Sequence, residues 1–388
     1  MRLRTFTQFL LPVFFFALCF TLPASAATGG YRTSIGTGTE EIPVVVVSGT
    51  PEEMGLQYGQ LMKPEINSFI PAFAAGISSE VPNEILDDAW ATTQIYTDVR
   101  YATEMQAVAV GADVDFTTLR RVHSAMLVDS YSCSSVAAWD KATIDGHLYQ
   151  TRDLDWSMDA GAHYFPCLVL YLPDEGRAHV NIAFSGLVGS HTGMNDRGIV
   201  VTQMGDSPGS ESPYDLRGQH FLPMFREMLY DANSLTDAIA ILTGSKRIKR
   251  YHYVFGDGGN ELRAVKIKAH APEPEPNDLI IWHDNDPTDE FAPNVMEDVV
   301  YNDEGRGAFP LIQADYGQLD AQKMINIAKS IPIHGDNVVD VVYDATALEF
   351  WVAYAEGSDE AYTQPFVHAR MRQFDGDNDG LPDIEEGS

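Results

Sequence analysis

Ser130-Tyr131-Ser132-Cys133-Ser134-Ser135-Val136 marks the point at which the chain changes its periodicity, and the two sides of this stretch decide the fold. Upstream, Thr50-Pro51-Glu52-Glu53 has the form of a capping box with Pro at the first helical position, followed by Met54, Tyr58, Leu61 and Met62 on one side. Helical spacing continues from about Asn83 to Val110 and from Asp115 to Val128, and a strand at Ile42 to Val47 follows a Gly/Thr-rich opening from Thr28 to Thr39. Downstream, Cys133 to Trp139 and His147 to Asp153 read as strands folded on the Asp145-Gly146 turn signal. A second hairpin pairs Cys167 to Leu172 with Ala178 to Phe184, and Gly198 to Met204 adds a strand. Helices follow at His220 to Tyr230 and, capped by Ser234, up to Leu242. Strands at Tyr251 to Phe255, Leu262 to Lys268 and Leu279 to His283 precede a helix at Asp320 to Ile331, and Val338 to Tyr343 with Phe350 to Tyr354 closes the series. Hairpins separated by paired helices predict an α+β fold of layered antiparallel sheets covered by helices, not an alternating parallel one. The Pro/Glu stretch Ala271 to Asn277 reads as a surface loop, and no repeat of solenoid period occurs.

The balance of 25 Lys+Arg against 56 Asp+Glu over 388 residues, a net charge of −31, excludes a nucleic-acid partner, because such a surface repels phosphate. Apolar residues at 45% suffice for a sizeable core. The start of the chain is set apart. Met1-Arg2-Leu3-Arg4, the apolar run Phe9 to Phe20 and Ala24-Ser25-Ala26 have the layout of a secretory signal peptide over 1–26, so export to a periplasmic or extracellular space is expected. The run is short and interrupted by Pro12, which argues against a permanent membrane span. There is no G-x-S-x-G, H-E-x-x-H, Walker or G-x-G-x-x-G motif, and the eleven His show no metal-ligand spacing. Serine hydrolase, zinc and nucleotide chemistry all lose support, the His read as surface or core residues, and no catalytic cofactor is expected.

Beyond the leader two cysteines remain, Cys133 and Cys167, which either pair in an oxidising compartment or stay free. Antiparallel pairing through Asp145-Gly146 returns Arg152-Asp153-Leu154-Asp155-Trp156 toward Cys133. A thiol beside a cation and a carboxylate is a poised nucleophile.

Five segments, in order, resemble the autoproteolytic acyltransferases and amidohydrolases of the N-terminal-nucleophile superfamily, of the acyl-coenzyme A:6-aminopenicillanic acid acyltransferase type. Gly49-Thr50-Pro51-Glu52-Glu53-Met54-Gly55-Leu56-Gln57-Tyr58-Gly59 is similar to that family's opening G-x-P-x-E-x-G-x-x-x-G, and Cys133-Ser134-Ser135 to the start of its catalytic chain. Arg152 to Trp156 looks like its R-N-x-D-W stretch, Gly193-Met194-Asn195-Asp196-Arg197-Gly198 like its G-x-N-x-x-G turn, and Phe255-Gly256-Asp257-Gly258 like the strand end carrying an oxyanion-hole Asn.

The resemblance implies a four-layer αββα sandwich and self-cleavage between Ser132 and Cys133, after which Cys133 supplies both nucleophile and, through its freed α-amine, base. It implies that Arg152 binds near the reacting carbonyl or a substrate carboxylate, that Asp155 orients the α-amine, and that Asn195 shapes the pocket near the thiol. Residues 27–132 would form a short, mostly helical chain packed on a catalytic region, 133–370, and the substrate would be a small N-acyl compound. Asp153 and Asp257 stand where the family has Asn, and an ionised Asp257 would repel an oxyanion. A Cys133–Cys167 bond would block catalysis.

The tail over 371–388 contains Asp375-Gly376-Asp377-Asn378-Asp379-Gly380-Leu381-Pro382-Asp383-Ile384-Glu385-Glu386, which matches a twelve-residue calcium loop. Asp375, Asp377, Asp379, Asp383 and Glu386 would supply side-chain oxygens and Leu381 its carbonyl to a structural Ca²⁺. The expectation is an exported cysteine amidohydrolase or acyltransferase. Its alternatives are a non-catalytic, calcium-dependent exported binding protein on the same fold, and a cysteine hydrolase acting without processing.

Overall fold

The computed structural model describes residues 29–128, 132–204, 215–269, 279–290, 292 and 294–374. The leader over 1–26, the loop at 271–277 and the calcium-type loop at 375–386 lie outside the described residues.

The segment before Cys133 begins with β1 (Tyr31–Ile35) and β2 (Ile42–Gly49), then continues through α1 (Pro51–Leu61), α2 (Lys63–Glu80), α3 (Asn83–Thr93), α4 (Val99–Ala112) and α5 (Phe116–Val128). The predicted capping box opens α1: Glu53 N–H donates to the Thr50 hydroxyl, and the Glu53 carboxylate accepts the Thr50 N–H at 2.8 Å. One long helical pattern from Asn83 becomes two helices, because Asp98 caps a new start by accepting the Arg100 N–H. Pro64 sits in the first turn of α2, where its missing donor costs nothing, while Pro71 lies inside that helix. The expected Gly/Thr-rich opening contains β1, whose burial alternates.

After Cys133 come β3 (Ser132–Asp140), β4 (Gly146–Asp155), β5 (Pro166–Pro173), β6 (His179–Phe184), β7 (Thr192–Asn195) and β8 (Ile199–Met204). Next are α6 (Phe221–Asp231), α7 (Leu235–Gly244), β9 (Tyr251–Asp257), β10 (Arg263–Ala269), β11 (Leu279–Trp282), β12 (Val299–Asn302), α8 (Ala308–Ala314) and α9 (Ala321–Ala328), and the order ends with β13 (Asn337–Asp344), β14 (Glu349–Tyr354) and β15 (Val367–Arg370). The unpredicted strands β7, β12 and β15 have four residues each, too few for period-2 alternation to stand out.

Two sheets result. One has the order β1-β2-β5-β6-β7-β8-β9-β10-β11 and the other β12-β3-β4-β13-β14-β15. All pairs are antiparallel except β2 with β5, which are parallel because the whole run from α1 to β4 crosses over between them. Leu154, Val341 and Cys133 from the smaller sheet share a buried core with Leu168, Ile182 and Val254 from the larger. Outside the larger sheet, α6 packs Phe225 and Met228 on Tyr253 and Phe255. Beyond the smaller sheet, Met324 and Ile325 of α9 pack on Val136 and Val342. The architecture is therefore helices, sheet, sheet, helices, the predicted α+β sandwich. The segment before Cys133 is less separate than the sequence suggests, because β1 and β2 are strands of the larger sheet itself.

Candidate active site

The site is built on the β3–β4 hairpin. Gly146, with φ of 80°, makes the turn, and the Asp145 carboxylate accepts the His147 N–H at 3.0 Å. The register then pairs Ser132 with Asp155, Cys133 with Leu154 and Ser134 with Asp153. On the other side of β4, β13 pairs Asn337 with Asp155, Asp340 with Asp153 and Val341 with Arg152.

Strand alternation divides these side chains between two faces. Cys133, Ser135, Gln150 and Arg152 fall on the face toward the larger sheet, where the Thr202 hydroxyl donates to Ser135 Oγ at 3.2 Å and Gln150 donates to the Val254 carbonyl at 3.0 Å. Asp153, Asp155, Ser134 and Asp340 fall on the face toward α9.

Cys133 is fully buried, and burial pushes its thiol up to about 11 while the charge of the neighbouring Arg152 draws it back down. Arg152 is also fully buried. One of its nitrogens donates to the Asp153 carbonyl at 2.7 Å, and Nε and the second terminal nitrogen have no partner among the described residues. A buried guanidinium is costly to leave unpaired, and three carboxyls, those of Asp153, Asp155 and Asp340, lie on the opposite face of the sheet. Asp153 and Asp340 face each other fully buried, and burial followed by repulsion from neighbouring carboxylates holds Asp153 well above the ordinary range. Asp340 is raised likewise by burial. Asp155 is pushed up to about 7 by burial, against the pull of the Ile333 backbone, Arg306 and Asn337. Asn337 bridges the group, donating to Asp340 at 2.7 Å and to Asp155 at 3.2 Å.

Arg306 is a site residue that sequence reasoning missed, as are Asn337 and Asp340. Arg306 stands 3.8 Å from Asp155, donates to the Ser134 hydroxyl and donates to the Ile331 carbonyl at 2.5 Å. Its loop is fixed by Asp303, whose carboxylate accepts the N–H groups of Gly305, Gly307 and Ala308. The only signal available was a lone Arg between Gly305 and Gly307, far along the chain from Cys133.

The structure does not bring Asn195 or Asp257 to the thiol. The Asn195 amide donates to the carbonyls of Leu229 and Ala232 and accepts the N–H groups of Arg197 and Ile199, so it ties the β7–β8 turn to the end of α6. Asp257 accepts the N–H groups of Leu235, Gly259 and Asn260, capping α7 and the turn after β9. Both sit at the end of the sandwich where Gly198 and Gly258 abut Ala345, beside the β4 position of Tyr149. Cys133 pairs with Leu154, five residues farther along β4, which is roughly 16 Å at about 3.3 Å per residue. The expected conflict between Asp257 and an oxyanion therefore does not arise. With it goes one of the two observations behind a non-catalytic reading; the other, the calcium-type loop, lies outside the described residues. Cys167 is free and buried, 3.5 Å from the Tyr58 hydroxyl, so no disulfide joins it to Cys133.

Two hollows lie along the end of β4 that pairs with Cys133. A small apolar cavity of about 40 Å³ is lined by Leu154, Trp156, Phe184, His191 and Met126. Met126 and Trp156 are shared with a cleft of about 700 Å³ between α2, α5 and the segment after β4, whose walls include Phe69, Phe73, Ile77 and Phe165. Among the described residues no group of His, Cys, Asp and Glu is arranged to hold a metal, and no helix is long and apolar enough to cross a membrane.

No protein-family profile matches the chain. Protein dcd1B of Dictyostelium discoideum is 27% identical over 72% of this chain and 60% of its own length, and protein dcd1A of the same organism is 25% identical over 89% and 87%. The chain thus spans less than two thirds of dcd1B. Among solved structures, an N-acylethanolamine-hydrolyzing acid amidase ortholog of Caenorhabditis elegans has a TM-score of 0.43 at 12% identity, covering 60% of this chain and 98% of that one. Penicillin V acylase of Agrobacterium tumefaciens has a TM-score of 0.43 at 11% identity, covering 63% and 87%.

Proposed function

We propose that the chain is an exported cysteine N-terminal-nucleophile enzyme that hydrolyses, or transfers the acyl group of, an N-acyl amide. The observation that carries this reading is the placement of a fully buried Cys133 beside the Arg152 guanidinium at the start of β3, with Asp155 in register with Ser132. In the maturation step the Cys133 sulfur attacks the Ser132 carbonyl, the Ser132–Cys133 C–N bond breaks, and water hydrolyses the resulting thioester. The products are a Ser132 carboxylate and a Cys133 carrying a free thiol and a free α-amine.

An α-amine titrates near 8, so it accepts the thiol proton at neutral pH far more readily than a lysine. In turnover the sulfur attacks the substrate carbonyl, the α-amine takes its proton and passes it to the leaving amine, and water or an acceptor amine releases the acyl group. Arg152 holds the developing thiolate, and Asp155 with Arg306 and Asn337 orients the amine end of the chain. The wall of the cleft formed by Phe69, Phe73, Ile77 and Phe165 suits an apolar acyl group, while Glu80, Ser157 and Asp159 line its polar part.

Denaturing mass analysis tests this directly: the purified protein should give two chains meeting between Ser132 and Cys133, and Cys133→Ala should give one chain with no turnover. A single intact chain that hydrolyses N-acyl amides would overturn the self-cleavage.

A further inference from the structure

Ser190 and His191 precede β7 at its end nearer the nucleophile. Thr192 pairs with Thr202, and Thr202 touches Ser135 on the strand of Cys133, so His191 lies one residue farther toward the thiol end of the sandwich. It lines the small cavity together with Leu154, the register partner of Cys133. His191 is 8% exposed, and neither ring nitrogen has a hydrogen-bond partner among the described residues. Its ring stacks on Phe184 at a centroid distance of 5.9 Å, which fixes its plane and leaves the nitrogens at the edge. Burial, reinforced by the positive charge of Arg152, holds its pKa down to about 3, so the ring is neutral and carries one N–H to donate.

Leaving both polar atoms of a buried ring unpaired costs free energy, and such a group calls for a partner. The cavity it faces is too small for a whole substrate but has room for a carbonyl, and it shares Met126 and Trp156 with the larger cleft.

We propose that His191 is a catalytic hydrogen-bond donor that meets the carbonyl oxygen of an apolar N-acyl substrate as Cys133 attacks it. This supplies an oxyanion donor that Asn195 and Asp257 cannot, since both are spent at the far end of the sandwich. A neutral imidazole suits the role, because it stabilises developing negative charge without surrendering its proton to the thiolate.

The inference rests on the amidohydrolase reading, and the experiment separates the two. Hydrolysis of hexanoyl-p-nitroanilide is followed for the wild type, His191→Phe and His191→Gln, with chain masses recorded for each. Phe keeps the stacking on Phe184 and removes the donor, whereas Gln keeps an N–H donor of similar reach. The expected result is a fall in kcat of about 100-fold for His191→Phe, the size of effect seen when one oxyanion donor is removed. KM should stay within about threefold, and His191→Gln should recover at least tenfold of the lost rate. A His191→Phe enzyme with kcat within threefold of an active wild type overturns the role of His191 and leaves the amidohydrolase reading standing. A wild type that turns over no N-acyl amide overturns both. If His191→Phe stays in one piece while His191→Gln splits, the donor is needed at the thiol; if neither splits, ring shape rather than hydrogen bonding is what the site requires, and the proposal fails.

Discussion

At the residue scale the site is governed by protons held where water is absent. Asp153, Asp155 and Asp340 all titrate above the ordinary carboxyl range in the folded chain, Asp155 at about 7. An unfolded Asp titrates near 4, so between about pH 4 and about pH 7 the folded chain holds more protons than the unfolded one. Stability therefore falls as pH rises through that window and is greatest below it as far as these groups contribute. Urea unfolding of the single-chain Cys133→Ala variant should show a midpoint that drops from pH 5 to pH 8, and adding Asp155→Asn should flatten the drop. An unchanged slope in the double variant would remove Asp155 from this account. Arg152 and Asp155 were legible in the sequence because one tight turn fixes the register of two adjacent strands. Arg306 was not, since only the docking of a distant loop carries it to the site.

At the element scale the motif glycines acquire a mechanical meaning. Gly55 of α1 lies against Glu104 and Ala107 of α4 and Gly59 against Gly111, and a Cβ on Gly59 would lie 2.3 Å from the Val108 carbonyl oxygen. The two helices cross with backbones in contact, so Gly59→Ala forces them apart. Its expected cost is about 1–3 kcal/mol, the range for overpacking a tight contact, read from denaturant unfolding; a loss below ~0.5 kcal/mol would show that the helices can shift freely. The same pattern explains why the opening motif was recognisable: spacing of four places both glycines on one helix face. By contrast, Asn195 matches its motif position in type and Asp257 does not, and here the turn and cap they occupy tie both side chains to nearby backbone groups.

For the whole molecule, the proposed cleavage between Ser132 and Cys133 would divide a fold that has no division in its core. Glu104 of α4 and Arg226 of α6 form a buried pair with contacts of 2.7 and 3.0 Å, and the guanidinium lies 3.8 Å over the Tyr171 ring. Arg100 adds a second link across the same boundary, to Asp231. After cleavage these ties would join two chains, as would β2 beside β5. The chains should therefore co-purify until the protein is denatured. Arg226→Met, which strands a buried Glu104, should cost about 3–5 kcal/mol and release the short chain at lower urea; chains that separate no earlier would show that the sheet alone holds them. The calcium-type sequence at 375–386, proposed as a structural site, makes a prediction of its own. Isothermal titration of the full chain with CaCl₂ should register one site that is lost in Asp379→Ala with Glu386→Gln, and heat unchanged by the double variant would rule the loop out.

The net charge of −31 and the apolar content bounded the partners and promised a core, and neither bears on the reaction. Local order in the chain determined the strands of the hairpin, the helix caps and the pairing of Cys133 with the Arg152 to Asp155 stretch, because each depends on residues a few positions apart or on a single turn. The tertiary structure alone decided that Arg306 and Asn337 close around Asp155, that Asn195 and Asp257 stand at the far end, and that His191 faces a cavity it shares with Leu154. Those placements follow from the stacking of two sheets, a contact between residues tens to hundreds of positions apart that leaves no periodic trace in the sequence.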